Sequence, residues 1–147
     1  MKNTVIILSG GFDPVHKGHV RMFKAAKEFP AKVIIGLNSD EWLVRKKGKA
    51  FMDWNERSEI LESIRYIDSV LSFSDNDDSA CDLIHKVKEM HAGFSDIRLC
   101  FGNGGDRTDS NSPEVDYCKN HGIELLWGIG GGKIQSSSYL IKKSKNK

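Results

Sequence analysis

The stretch that decides the fold and the chemistry of this chain is SGGFDPVHKGH, residues 9–19. It follows the apolar run VIIL at residues 5–8 and precedes a segment of helical character at residues 20–28. A buried strand that ends in a glycine turn and leads into a helix places free backbone N–H groups and the positive end of the helix dipole beside that turn. Glycines also let a backbone approach a bulky anion closely. The stretch therefore predicts a site at which a polyphosphate undergoes chemistry.

Two histidines in this stretch, His16 and His19, are three residues apart, so they lie on one helix face and can reach one ligand. Three other interpretations are ordinary surface or core histidines, two zinc ligands, or a dinucleotide-binding turn. Two histidines, an aspartate and three glycines within ten positions are too dense for the first. No Cys or Glu stands nearby at ligand spacing, and G-x-G-x-x-G is not matched.

We therefore expect His16 and His19 to be catalytic and the residues of the turn to bind nucleotide. The turn residues are Gly10, Gly11, Phe12 and Asp13. The carboxylate of Asp13 either stabilises the turn or helps to place a metal, and the sequence identifies no further metal ligand.

Length and composition describe an ordinary globular domain. The 147 residues are one domain by size, and 39% of them are hydrophobic and 9% aromatic. The net charge is +2, with basic and acidic residues interspersed, so nucleic acid is not an expected partner. Three widely spaced cysteines without a C-x-x-C pair indicate a reducing compartment. Without a leader-like start or an apolar run of membrane-spanning length, we expect a cytoplasmic protein and no membrane partner.

Short apolar runs alternate with amphipathic segments along the chain. The pattern predicts strands at residues 5–8, 32–37, 69–73, 97–101 and 123–127, and helices at residues 19–28, 55–67, 81–91, 114–121 and 138–143. This alternation predicts an α/β fold, a doubly wound parallel sheet in a single domain over residues 1–147. Ligands of such sheets bind at the carboxyl ends of the strands, so the glycine turns after the first and fourth strands are expected to line one crevice.

The basic segment RKKGK, residues 45–49, is expected to form a loop after the second strand. Alone it would be a solvated basic loop. Next to a triphosphate, Lys46 and Lys47 would neutralise the charge that develops as pyrophosphate leaves, which makes both lysines catalytic candidates.

Arg57 and Arg65 are eight residues apart, so in a helix over residues 55–67 they would lie two turns apart on nearly the same face. Guanidinium groups bind phosphate through several donors, which predicts that both arginines hold phosphates of the nucleotide or the acceptor. The alternative is that each one pairs with Glu59 or Glu62 on the surface.

Two later glycine-rich segments are further candidates for nucleotide binding. Gly105 and Asp106, after the fourth strand, would hold a base or ribose, unless they form a plain turn. Lys133 follows three glycines and precedes hydroxyls at a helix start, an arrangement suited to anions. These hydroxyls belong to Ser136, Ser137 and Ser138. A serine-rich helix cap without a ligand is the alternative.

The motif Gly11-Phe12-Asp13-x-x-His16-x-Gly18-His19 resembles the signature of the nucleotidyltransferase superfamily that includes the cytidylyltransferases. Nearly the whole chain resembles the glycerol-3-phosphate and the ethanolamine- or choline-phosphate cytidylyltransferases. The segments NSDE at 38–41, KKG at 46–48, ER at 56–57 and RYID at 65–68 stand in family order. The resemblance implies a Rossmann-like fold, a homodimer, Mg²⁺, and transfer of CMP from CTP to a phosphorylated small alcohol such as glycerol 3-phosphate.

The expected reaction is attack of the acceptor's phosphate oxygen on the α-phosphorus of the triphosphate, with pyrophosphate leaving. Positioning and electrostatics suffice for it, without a covalent enzyme intermediate. His16 and His19 would donate to phosphate oxygens, Lys46 or Lys47 would neutralise the α- and β-phosphates, and the serines would cap the triphosphate.

The chain is also similar to the adenylyltransferases that activate heptose phosphate, through NSD at residues 38–40 and GGD at 104–106. CTP is favoured over ATP because IRYID at residues 64–68 has the cytidylyltransferase form. Two elements depart from the family. Its R-T-x-G-I-S-T-T element appears as GKIQSSS at 132–138, without the arginine, and its Gly-Asp-Asp appears as GGDR at 104–107.

Two rival classes are a catalytically silent nucleotide-binding domain and an NAD-type oxidoreductase in which Asp40 closes the second strand. The silent domain would have lost a histidine or the loop lysines, and all of them are present. The histidine pair and the lysine segment also have no role in an NAD site.

Overall fold

The computed structural model describes residues 3–104 and 112–130. The strands are β1 (Asn3–Gly10), β2 (Ala31–Leu37), β3 (Ser69–Leu71), β4 (Ile97–Gly104) and β5 (Glu124–Ile129). The helices are α1 (Lys17–Lys27), α2 (Asp40–Lys47), α3 (Trp54–Glu62), α4 (Cys81–Met90) and α5 (Pro113–His121).

The five strands form one parallel sheet in the order β3-β2-β1-β4-β5. Alternate residues of β1 point to opposite faces, as the two-residue period of a strand requires. One face packs against α1 and α3, and the other against α4 and α5. The first core includes Ile6, Leu8, Phe23, Ala26 and Leu61, and the second includes Val5, Ile7, Leu83, Ile84 and Cys118. The prediction of a doubly wound α/β sheet is confirmed.

The central pair of strands positions the site. The chain leaves β1 toward β2 on one side and leaves β4 toward β5 on the other, so the strand order reverses between β1 and β4. In open α/β sheets, ligands bind outside the carboxyl ends of the strands at such a reversal. In the stretch singled out in the sequence, residues 9–19, the turn at residues 11–16 follows the carboxyl end of β1 at this point.

The basic segment was predicted as a loop, and this is wrong. Residues 40–47 form α2, with Arg45, Lys46 and Lys47 in its last turn. Ser39 caps the helix by accepting a hydrogen bond from the backbone N–H of Trp42, and Gly48 ends it with a φ of 89°. Its hydrophobic pattern is weak, because Leu43 is its only buried residue. The helix depends on its caps and its tertiary contacts, which a search for apolar periodicity does not detect.

The second helix boundary that differs is the end of α3. The helix stops at Glu62 instead of residue 67, and the hydroxyl of Ser63 donates to the carbonyl of Ile60. The chain then turns to pair with β2, where Asp68 N–H donates to Val33 O and Val33 N–H donates to the Asp68 carboxylate. Tertiary bonds to the sheet therefore overrule the helical pattern of residues 63–67.

The remaining predicted elements in the described ranges differ from the structure only at their ends. The helix predicted at residues 114–121 is α5, which ends at Gly122 in the left-handed conformation, with φ 69°. The helix predicted at residues 138–143 lies outside the described residues. Among the described residues, every helix is too short or too polar to cross a membrane.

Candidate active site

The start of α1 is capped by the two histidines themselves. His16 is the N-cap residue, and its Nδ1 accepts a hydrogen bond from the backbone N–H of Gly18 at 3.1 Å. The Nδ1 of His19 accepts the backbone N–H of His16 at 3.2 Å. This is the reciprocal arrangement of a capping box, in which two otherwise unpaired N–H groups are satisfied. The backbone N–H of Gly18 lies at the helix start, where the sequence predicted free N–H groups for an anion. It is instead bound by the imidazole of His16.

The two imidazole rings lie against each other on a single apolar support. Their centroids are 3.7 Å apart and their planes differ by 19°. The buried ring of Phe12 meets His19 edge-on at 4.9 Å and also contacts Phe23 at 5.5 Å. Phe12, which was predicted to bind nucleotide, packs beneath His19 and belongs to the core.

Both histidines are held in the neutral form. Burial lowers the pKa of His16. Burial, with added repulsion from His16 and Lys47, lowers the pKa of His19 to about 3. Since each Nδ1 accepts an N–H bond, the single proton of each neutral ring resides on Nε2.

The Nε2–H group of His16 is a buried donor without a hydrogen-bond partner among the described residues. An unpaired buried donor is costly, and it marks a place where a ligand acceptor is expected. The site can therefore offer two fixed N–H donors to an anionic oxygen. Both imidazoles are uncharged at neutral pH, so neither has to gain or lose a proton to do so.

Asp13 anchors the turn instead of facing solvent. Its carboxylate is 1% exposed, and it accepts the backbone N–H of Phe51 at 2.6 Å and of Met52 at 2.8 Å. The segment between α2 and α3 is thus tied to the turn that carries the histidines. Of the two roles expected for this side chain, the geometry matches stabilisation of the turn. No local pattern in the sequence indicates that Phe51 and Met52 are its partners.

The two candidate lysines have different surroundings. The ammonium of Lys47 donates to the backbone carbonyl of Asp13 at 3.1 Å, and its charge contributes to the low pKa of His19. Lys46 lies over the ring of Trp42, 5.7 Å from its centroid. The structure therefore brings Lys47 to the histidines and places Lys46 on a different side of α2.

The glycines of the turn serve packing within the protein. A Cβ on Gly11 would come within 2.8 Å of Leu43 in α2, and a Cβ on Gly10 would lie 3.0 Å from the ring of Phe12. The space that a Cβ would take at these two positions is filled by the side chains of Phe12, Trp42 and Leu43. The lack of a Cβ at Gly11 is what allows α2 to pack against the turn.

The expected pair of phosphate-binding arginines is not formed. Arg57 is 1% exposed and donates to the carbonyls of Gly11, Asn38 and Met52 and to the carboxylate of Asp40. Its partner is Asp40 of α2, not Glu59 or Glu62 as the alternative proposed. The guanidinium thus faces into the protein, where it joins the glycine turn, the end of β2 and the segment before α3.

Arg65 lies at the other edge of the sheet. It follows the end of α3 in the segment that leads to Asp68, which pairs with Val33 near the start of β2. Its exposed guanidinium donates to the Tyr66 hydroxyl at 3.0 Å and stacks on that ring. The histidines lie at the opposite ends of the strands. Because Arg65 lies beyond the end of α3, the expectation that Arg57 and Arg65 share a face of one helix is wrong.

Several predicted nucleotide-binding residues lie outside the described ranges: Gly105, Asp106, Lys133, Ser136, Ser137 and Ser138. In residues 3–104 and 112–130, no group of three or more His, Cys, Asp or Glu side chains is arranged to hold a metal ion. The carboxylate of Asp13 is occupied by two N–H groups, and that of Asp40 is paired with Arg57.

Comparison with known proteins identifies a family and a fold. Residues 7–131 match the sequence model of a family described as cytidylyltransferase-like. The chain is 35% identical over 66 residues to glycerol-3-phosphate cytidylyltransferase of Bacillus subtilis, which covers 45% of this chain and 51% of that protein. It is 36% identical over 146 residues to the bifunctional protein HldE of Coxiella burnetii, which covers 97% of this chain and 28% of that protein.

Among solved structures, a lipopolysaccharide core biosynthesis protein from Thermoplasma volcanium GSS1 superposes with a TM-score of 0.63 at 18% identity. The match covers 86% of this chain and 96% of that one, and it supports the fold. The chain spans about half the length of the glycerol-3-phosphate cytidylyltransferase and just over a quarter of the HldE protein.

Proposed function

Because this chain belongs to the cytidylyltransferase-like family, we propose that it transfers a nucleotidyl group from a nucleoside triphosphate to a phosphorylated small molecule and releases pyrophosphate. The observation that supports this most directly is the unpaired, buried Nε2–H of His16 beside the stacked His19. Two neutral donors that are fixed in advance suit an oxygen on which charge develops only in the transition state.

In this proposal His16 and His19 donate through Nε2 to non-bridging oxygens of the α-phosphate as the acceptor's phosphate oxygen attacks. The bond from the α-phosphorus to the bridging oxygen breaks, and its electron pair leaves with pyrophosphate. Lys47 neutralises charge on the phosphates from its place beside the turn, as a flexible point charge can. Arg57 and Asp13 touch no substrate; they hold the turn on which the histidines stand.

Mg²⁺ is proposed to enter with the triphosphate. Among the described residues no group of three or more His, Cys, Asp or Glu side chains is arranged for a metal ion, and the carboxylate of Asp13 in the histidine turn already accepts two backbone N–H groups. Mg²⁺ is commonly held by one or two carboxylates together with waters and substrate phosphates, so a cage made entirely of protein groups is not required.

CTP remains the favoured nucleotide, with transfer to an alcohol phosphate such as glycerol 3-phosphate. The 35% identity over 66 residues to a glycerol-3-phosphate cytidylyltransferase supports this choice. The longer alignment with the HldE protein keeps ATP and a sugar phosphate as the second candidate. The homodimer and the cytoplasmic location stay predictions from the sequence.

The test is a panel of CTP and ATP with phosphorylated alcohols and sugars, in the presence of Mg²⁺, with pyrophosphate release as the readout. We expect release with CTP and an alcohol phosphate. CTP should also raise the melting temperature more than ATP, because a ligand that binds only the folded state stabilises it by mass action. The reverse ranking would select the adenylyltransferase alternative, and no release with any pair would contradict the proposed function.

A further inference from the structure

We propose that Asp75 is a positioning residue for the transfer reaction: its carboxylate fixes α2 and thereby sets the place of Lys47 beside the histidines. The proposal rests on the proposed function. Asp75 lies in the acidic turn after β3, outside every motif that the sequence offered, and it is 2% exposed.

The carboxylate of Asp75 holds the junction between β2 and α2. It accepts the backbone N–H of Ser39 at 2.8 Å, the hydroxyl of Ser39 at 2.7 Å and the side-chain amide of Asn38 at 3.0 Å. Burial by itself raises the pKa of Asp75, but the bonds from Ser39 and Asn38 outweigh it and bring the pKa below its usual value. The hydroxyl of Ser39, which donates to Asp75, accepts from Trp42 and so caps α2.

The far end of α2 is bound to the same turn. Arg45, in the last turn of the helix, donates to the backbone carbonyl of Asp75 at 2.6 Å and to the carboxylate of Asp78 at 3.0 Å. Both ends of α2 therefore rest on residues 75–78. A helix of eight residues is not stable alone in water, so its position is set by such tertiary bonds.

The position of α2 decides where Lys47 lies. Lys47 is the last residue of the helix, and its ammonium reaches the carbonyl of Asp13 and the neighbourhood of His19. A displacement of about 1 Å at a reacting centre can lower a rate on the order of a hundredfold. A side chain that holds the helix therefore affects the reaction without touching the substrate.

The first arm of the test compares Asp75→Asn with a matched control, Asp82→Asn. Asp82 accepts the backbone N–H of Ser74 at 2.7 Å and so steadies the same segment without a bond to α2. We expect kcat/KM for the triphosphate to fall about tenfold in Asp75→Asn, as for loss of a charged hydrogen bond, and to stay near the wild-type value in Asp82→Asn. Equal activity of Asp75→Asn and wild type would overturn the proposal.

The second arm is a double-mutant cycle with Lys47→Ala. If Asp75 acts through Lys47, Asp75→Asn should cost no further activity once the ammonium is gone. Losses that simply multiply would mean that Asp75 acts independently of Lys47, which contradicts the proposed positioning role. If Asp75→Asn does not fold, Ser39→Ala takes its place in the same cycle, since it removes the hydroxyl between Asp75 and Trp42.

A third measurement does not depend on activity. Amide hydrogen exchange in residues 43–48 should accelerate in Asp75→Asn, while exchange in β1 stays protected. Unchanged exchange in α2 would overturn the assignment of Asp75 whatever the protein catalyses. Failure of the wild-type protein to transfer any nucleotide would instead contradict the proposed function, so the two failures are distinguishable.

Discussion

The Nδ1 atom of His19 accepts a hydrogen bond from the backbone N–H of His16 at 3.2 Å, so the second histidine holds the backbone of the first in place. The same bond leaves the proton of the neutral imidazole on Nε2. The bonds that cap the start of α1 thus also fix the Nε2–H donors. Changes to either histidine are therefore expected to affect both stability and turnover.

The pH dependence of the free energy of unfolding should reflect the titration of His19. Its pKa of about 3 in the folded protein lies below the usual value of about 6.5, so the unfolded chain takes up a proton first as the pH falls. The stabilisation is complete above about pH 6.5 and is lost as the pH falls from there toward the folded pKa. We expect the free energy of unfolding in urea to drop by about 1 kcal/mol between about pH 7.5 and about pH 5.5.

The control for this prediction is His19→Gln, because glutamine at this position of a capping box can still accept the N-cap N–H. Its unfolding free energy should change much less over the same pH interval. A slope as steep as that of the wild type would assign the effect to other groups.

A substitution at His16 should separate its capping role from its chemistry. Serine is a preferred N-cap residue but is too short to reach the place of Nε2. His16→Ser is therefore expected to keep a melting temperature close to the wild-type value while kcat falls by about two to three orders of magnitude. Turnover close to that of the wild type would remove His16 from the reaction, whereas His16→Ala should lose both activity and about 1 kcal/mol of stability.

The two lysines of α2 are expected to differ. Lys47 contacts the turn that carries the histidines, whereas Lys46 lies over Trp42. Lys47→Ala should raise the KM for the triphosphate or lower kcat about tenfold or more, as loss of a charged hydrogen bond does. Lys46→Ala, measured in the same steady-state assay, should show a smaller loss. The opposite order would mean that the helix turns when the substrate binds.

Asp13 should act on the segment at residues 51 and 52. In Asp13→Asn, one of the two oxygens that accept the N–H groups of Phe51 and Met52 becomes an amide donor, which leaves one N–H without a partner. We expect a loss of about 1–3 kcal/mol in the free energy of unfolding, with faster amide exchange at residues 51 and 52. Asp53→Asn is the control, because asparagine replaces aspartate well at the N-cap of α3. Equal effects of the two variants would contradict the specific role of Asp13.

Removal of the Arg57 guanidinium should destabilise the fold. In Arg57→Met, three backbone carbonyls lose the buried guanidinium that donates to them, and the half-exposed carboxylate of Asp40 loses its partner. Leaving buried carbonyls without a donor costs about 1–3 kcal/mol in the free energy of unfolding, and chemical denaturation would measure it. Arg65→Ala, at an exposed site, should change the stability little. An Arg57→Met protein of wild-type stability with weakened triphosphate affinity would restore the phosphate-binding interpretation.

The sequence failed at α2 and at the end of α3 for the same physical reason. Both boundaries depend on bonds between segments that are distant in the chain: Ser39 with Asp75, and Asp68 with Val33. The local pattern of residues 40–47 is too polar to indicate a helix, and that of residues 63–67 is helical enough to suggest one. The burial of Arg57 follows from α2, because Asp40 is placed opposite the guanidinium by this helix.

The sequence by itself determined the doubly wound parallel sheet and the candidate site after β1, because both follow from local signals: the period of apolar residues, the glycine turn and the spacing of His16 and His19. Only the tertiary structure decided which charged groups stand at that site. Lys47 is brought to the turn, Arg57 is withdrawn into the core and Arg65 is placed at the opposite edge of the sheet. The physical reason is that the position of a charge depends on partners that local patterns do not contain, whereas the apolar period depends on the residues themselves.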